Sequence, residues 1–143
     1  MNVEHILSEK GRQVVTIAPD ASLMETARTL SERRIGAIVV ADPGNPVLGI
    51  LSERDIVRAM AANGGRALEE PVSRYMTPKV VTCTSRSAIN DLMETITRGK
   101  FRHVPIVEDG RLIGIVSIGD VVKFRVAEIE TESRALREYI ATA

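Results

Sequence analysis

Apolar positions along this chain follow two rhythms, and each rhythm occurs twice. Leu23, Ala27 and Leu30 stand four and then three residues apart, as do Ile89, Met93 and Ile96, which places each trio on one face of an amphipathic helix. The runs "AIVV" from Ala37 and "HVPIV" from His103 are instead continuously apolar and rich in β-branched residues, the pattern of strands covered on both faces. Each run passes through a turn signal, "DPGNP" in the first case and the Asp-Gly of "EDGR" in the second, into another apolar strand. That strand closes on "GILSERD" (49–55) or "GIVSIGD" (114–120), after which a helical period resumes. The predicted order is short strand, helix, strand, hairpin, strand, helix, written twice.

The copies align at an offset of 66 residues, with Thr16 on Thr82, Leu23 on Ile89, Ile38 on Val104 and Val40 on Ile106. After the hairpins the offset is 65, with Gly49 on Gly114, Ser52 on Ser117 and Asp55 on Asp120, because the second turn is one residue shorter. Ser22 and Ser87 stand where helix N-caps are expected. A first strand joined through a helix to a parallel neighbour, then an antiparallel hairpin, predicts a three-stranded mixed sheet flanked by helices in each copy, an α/β (α+β) class. A unit of roughly 55 residues is marginal alone, so the copies are expected to pack face to face. The expected boundaries are a lead-in over 1–13, a first repeat over 14–60, a linker over 61–72 marked by a Gly pair and Pro71, a second repeat over 73–125 and a helical tail over 126–143.

With 143 residues, 44% hydrophobic but only 3% aromatic and without Trp, the core must be built from Val, Ile, Leu, Ala and Met. Nineteen basic residues balance nineteen acidic ones, which removes any global attraction to nucleic acid or an anionic membrane; an anion site has to be local. The single cysteine, Cys83, excludes an internal disulfide and a thiol metal cluster, reads as a small strand residue and fits a reducing cytoplasm. The longest apolar run (35–41) is far short of the ~20 residues that span a membrane, so a soluble, cytoplasmic protein is expected. His5 is expected at the surface.

The repeated Ser-x-x-Asp has two readings. As a capping box, Ser52 and Ser117 satisfy free helix N–H groups and Asp55 and Asp120 bond back. As a ligand site, a strand ending at a helix N-terminus offers N–H groups and a positive dipole end to an anion. A carboxylate beside it repels a bare anion but suits a ribose diol whose phosphate sits on the helix end.

Residues 14–125 resemble a tandem pair of cystathionine-β-synthase (CBS) domains, a Bateman module, whose marker is Gly-apolar-apolar-[Ser/Thr]-x-[Ser/Thr]-Asp. The "SERDIVR" wording is similar to stand-alone bacterial CBS pairs. The resemblance implies β-α-β-β-α repeats related by pseudo-two-fold symmetry, with adenine nucleotides bound in clefts between them. By position, Asp55 and Asp120 would hold ribose hydroxyls, with Ser52 and Ser117 near ribose or phosphate. Thr16 and Thr82, with Val80 and Val81, would line the base pocket. Gly36, Ala37 and Ile38 would form the other wall in the first copy, and Arg102, His103, Val104 and Pro105 in the second. The hydroxyl usual before the Asp is replaced by Arg54, a bidentate donor, and by Gly119, which allows close backbone approach. Arg102 and His103 opposite "SIGD" predict a cleft richer in phosphate contacts than its counterpart. The implied ligands are AMP, ATP or NAD(H), with S-adenosylmethionine also open.

No nucleophile elbow, zinc-ligand pair, Walker loop or paired-carboxylate motif occurs in the sequence, so a regulatory binding module is expected rather than an enzyme. The alternatives are a structural interaction module with degenerate clefts and, more remotely, a metal-assisted nucleotide hydrolase. Val122, Val126, Ile129, Ser133, Leu136 and Ile140 alternate four and three apart and form a narrow seam on the last helix. Its own domain or the "VEHILSEK" segment could cover that seam; a homodimer is the favoured expectation, since CBS modules commonly pair into a flat disc. An unidentified effector protein would receive the signal.

Overall fold

The protein is described here by a computed structural model covering residues 1–142; Ala143, the last residue of the expected tail, lies outside the described residues. The first helix, α1 (Val3–Lys10), precedes β1 (Thr16–Ile17), α2 (Leu23–Arg33), β2 (Ala37–Asp42), β3 (Asn45–Ser52) and α3 (Glu53–Asn63). Two 3-10 turns (Gly64–Glu69 and Val72–Arg74) lead to α4 (Ile89–Gly99), β4 (His103–Glu108), β5 (Arg111–Ser117) and α5 (Ile118–Thr142). β1 runs parallel to β2, and β2 antiparallel to β3, with Thr16 opposite Val39 and Ala37 opposite Ser52. β4 and β5 form the matching hairpin, His103 opposite Ser117, turned by Asp109 and Gly110, both at positive φ as the Asp-Gly signal predicts.

Two details of the repeat differ from expectation. The second copy has a two-stranded sheet, because its first strand shrinks to a single parallel bridge between Cys83 and Ile106. Pairing Thr82 with Pro105, as Thr16 pairs with Val39, needs an amide hydrogen that Pro105 lacks. Ser22 caps α2 by accepting from the Glu25 N–H, but the equivalent position of α4 is Ala88; Ser87 instead accepts from the Thr84 N–H in the turn before.

Each repeat is completed by the segment that precedes the other. Val3, Ile6 and Leu7 of α1 are buried among Ile89, Leu92, Val104, Ile106 and Val116 of the second repeat. Ala67 and Val72, from the expected linker, are buried among Leu23, Ile38, Val40 and Leu51 of the first, with Tyr75 and Met76 packed against that core. Matching backbone bridges fix the exchange: Asn2 with Ala88, and Ser22 with Pro71. This crossing also explains the glycine that opens each repeated segment. A Cβ on Gly49 would fall 2.5 Å from the Met76 sulfur and 2.8 Å from the Thr77 carbonyl oxygen, and one on Gly114 would fall 2.6 Å from a Leu7 methyl carbon.

Candidate functional site

Both Ser-x-x-Asp segments form the helix caps that their spacing predicts. Asp55 Oδ2 accepts from the Ser52 N–H at 2.8 Å and from its hydroxyl at 3.1 Å, at the start of α3. Asp120 Oδ2 accepts from the Ser117 N–H at 2.9 Å, and the Asp120 N–H donates to Ser117 Oγ at 3.1 Å.

Their surroundings differ. Lys10, at the end of α1, donates to Asp120 Oδ2 at 2.5 Å and to the Ile115 carbonyl at 2.6 Å. Burial by itself would raise the Asp120 carboxyl; the Lys10 ammonium and the Ser117 N–H outweigh it and hold the group below its ordinary value. Asp55 has no ion-pair partner among the described residues, and it borders a cavity of about 340 Å³.

Three chain segments wall this cavity. The first repeat supplies Gly36 and Ala37 at the start of β2, Ile50 and Ser52 from β3, and Glu53, Arg54, Asp55 and Arg58 from the first turns of α3. The crossing segment supplies Thr77, Lys79, Val80 and Val81, anchored by paired backbone bonds between Thr77 and Ile50 at 2.9 and 3.0 Å. The second repeat supplies Lys100, Phe101, Arg102 and His103. Five permanent cations (Arg54, Arg58, Lys79, Lys100 and Arg102) thus face the cavity against two carboxylates, and none of the five is ion-paired among the described residues. In a chain of zero net charge this is the local positive site that an anion requires. Burial, helped by Lys10 and Arg102, lowers the His103 pKa against the opposing pull of Asp120 and Glu53, leaving a neutral imidazole at pH 7.

Of the residues expected from the sequence, Gly36, Ala37, Ser52, Arg54, Asp55, Val80, Val81, Arg102 and His103 meet here. The others lie elsewhere. Thr16 and Thr82 are exposed outside the cavity; the side chains of Ile38 and Val104 are fully buried in the two cores, and Pro105 is buried beside Val104. Ser117, Gly119 and Asp120 stand at the opposite cap, by Lys10. Arg102 and His103 do adjoin "SIGD", His103 pairing with Ser117 and the Arg102 carbonyl accepting from the Ile118 N–H, and they also line the cavity that "SERD" borders. The starts of β2 and β4 lie side by side, so that a Cβ on Gly36 would stand 3.9 Å from the His103 ring. The cationic wall stands at Asp55, whereas Asp120 is ion-paired to Lys10.

Ile50, Glu53, Arg58, Thr77, Lys79, Lys100 and Phe101 were not anticipated. Arg58 follows Arg54 by one helical turn, a signal open to reading. Lys79 has one too: "HILSEK" and "YMTPK" align Lys10 with Lys79 at an offset of 69, hidden because Gly11, Arg12 and Gln13 have no counterpart before the repeat proper.

The CBS domain family model matches twice, over residues 3–62 and 72–127. The crystal structure of a CBS-domain-containing protein from Agrobacterium tumefaciens is similar with a TM-score of 0.84 and 52% identity, covering 87% of this chain and 99% of that one. A CBS domain protein from Pyrobaculum aerophilum, solved in complex with AMP, is similar with a TM-score of 0.75 and 28% identity, covering 84% and 89% of the two chains. An uncharacterized 17.7 kDa protein from Acidianus ambivalens is 38% identical over 112 residues, 78% of this chain but only 66% of its own length. The duplicated fold, the paired Ser-x-x-Asp caps and these matches agree, and the chain belongs to the CBS domain family as a tandem pair.

Proposed function

We propose that this CBS pair is a regulatory module that binds one adenine nucleotide per chain in the Asp55 cavity and reports occupancy through a homodimer. The observation that carries the reading is the pairing of a capping carboxylate with five cations, none of them ion-paired among the described residues, around a cavity of about 340 Å³, a volume within the range of small-ligand pockets. Asp55 accepts from ribose hydroxyls, the α3 N-terminus with Arg54 and Arg58 receives phosphate, and Ala37, Ile50, Val80 and Val81 give the base an apolar wall. The charge favours a ligand with two or more phosphates, ATP before AMP, and disfavours the sulfonium of S-adenosylmethionine. NAD(H), with its diphosphate, has the right charge but more bulk. The AMP bound by the Pyrobaculum relative supports the adenosine part of the assignment. The module binds and does not turn its ligand over.

Thermal unfolding in the presence of AMP, ADP, ATP, NAD and S-adenosylmethionine tests this. A ligand at 100 times its Kd stabilises by ~2.7 kcal/mol, a rise of roughly 5–10 °C at this chain length. The rise is expected for ATP and ADP and is lost in Asp55→Ala but kept in Asp120→Ala. Absence of a shift with every nucleotide, or equal loss in both variants, refutes the assignment.

A further inference from the structure

We infer that α5 joins two copies of this chain as a parallel, in-register coiled coil along 122–140, a geometry that rests on the homodimer reading above and makes it specific. α5 is 25 residues long, and Val121 is its only buried residue. Its body-facing side carries Val121 with partly buried Phe124, Arg125 and Glu128, whereas Val122, Val126, Ile129, Leu136 and Ile140 are 49–65% exposed. Packing within the chain, the other cover considered for the seam, is therefore not what the fold provides. The seam steps by four, three, four, three and four residues. That is the 3.5-residue period of a helix supercoiled on a partner; on a straight helix such a seam would drift by ~20° per heptad.

The flanking charges choose the partner and its direction. Arg125 and Glu132 border the seam on one side, and Lys123, Glu130 and Arg137 on the other. In a parallel, in-register pair, a residue on the first flank meets the residue five positions further along the opposite flank of the second copy. Arg125 then meets Glu130 and Glu132 meets Arg137, each pair occurring twice by symmetry. Arg125 already contacts Glu128 and Asn90 within its own chain, so the Glu132–Arg137 pair decides the direction; neither of these two has an ion-pair partner among the described residues. An antiparallel pair using the whole seam opposes Lys123 to Arg137, Glu130 to Glu130 and Glu132 to Glu132. Sliding it by a heptad relieves these clashes only by leaving two seam residues of each copy in water.

Leu136→Cys in a Cys83→Ser background, mildly oxidised, should form a disulfide-linked dimer in nearly all chains, because only the parallel arrangement brings the two copies of position 136 together. In sedimentation equilibrium, Glu132→Arg and Arg137→Glu should each weaken dimerisation roughly tenfold, and the two combined should restore it. A dimer that does not cross-link at position 136, or a double variant no tighter than the single ones, overturns the parallel coiled coil while the homodimer stands. A monomer at high micromolar concentration overturns both. Nucleotide-induced thermal shifts on the same samples report separately on the cavity.

Discussion

Lys10→Met tests the asymmetry between the two caps, since it keeps most of the side chain's apolar stem and removes the ammonium that holds Asp120 and the Ile115 carbonyl. The side chains of Lys10 and Asp120 are 32% and 24% exposed, so solvent screens the ion pair and its share is at most ~1 kcal/mol. The bond from Lys10 to the Ile115 carbonyl adds ~1 kcal/mol. The expected loss at pH 7 is about 1–2 kcal/mol, a fall in Tm of roughly 3–6 °C. The pH dependence separates charge from packing. Asp120 is held below its ordinary value in the fold, so the unfolded chain binds more protons than the folded one in the acid range. Its stabilisation is complete above the unfolded carboxylate value of about 4 and drains away as pH falls through the folded value. The gap between wild type and Lys10→Met should therefore be widest at pH 6–7 and close toward pH 3 in denaturant melts. Lys79→Met is the internal control, because Lys79 holds the equivalent position without an ion pair among the described residues and should change stability by less than ~0.5 kcal/mol. A gap unchanged from pH 7 to pH 3, or an equal cost for both lysines, would refute the argument.

Isothermal titration with ATP should give one site per chain in the wild type and a second, weaker site in Lys10→Met, where Asp120 is released. Binding should tighten from pH 8 to pH 6, because phosphate beside His103 reverses the lowering of its pKa and draws a proton onto the imidazole; His103→Gln should flatten that slope. Gly49→Ala should destabilise more than Gly114→Ala, by roughly 2–3 against 1–2 kcal/mol in urea melts. The methyl on residue 49 meets the Thr77 backbone oxygen as well as Met76, whereas the one on residue 114 meets only the movable end of Leu7.

Most elements were legible because a short-range rule fixed each one. The four-three spacing specified α2 and α4, the β-branched runs specified β2 and β4, and Asp109-Gly110 specified a turn with positive φ at both residues. The misses arise where one residue or a long-range contact overrides the local rule. Pro105 removes a single amide hydrogen and shortens the second sheet. The exchange that sends α1 to the second repeat and Val72 to the first leaves no local trace, since an apolar segment does not specify which of two similar cores it enters. The cavity wall was half legible for the same reason. Asp55, Ser52 and Arg54 sit in the repeated motif, but pairing them with Arg102 and His103 needed the arrangement of the two repeats in space. Lys100 was hidden further, because it ends α4 at positive φ as Arg34 ends α2, a cap usually marked by glycine.

The proposed cavity and the proposed coiled coil are connected through that arrangement. Asp55, Arg54 and Arg58 belong to the first repeat, Lys100, Arg102 and His103 to the second, and Lys79 to the segment that crosses between them. Without ligand, the five cations repel one another across the cavity; in the proposed complex a polyphosphate would reverse that balance and draw the walls together. A ligand can shift an arrangement only by binding one state more tightly than another, and here the differential affinity comes from the number of cations its phosphates reach at once. The Arg102 carbonyl accepts the N–H of Ile118, the first residue of α5, at 2.8 Å, which ties the Arg102 wall to the root of the helix that carries the seam and is the route the proposal gives to the signal. AMP, with one phosphate, should engage fewer of these cations than ATP and move α5 less at equal occupancy.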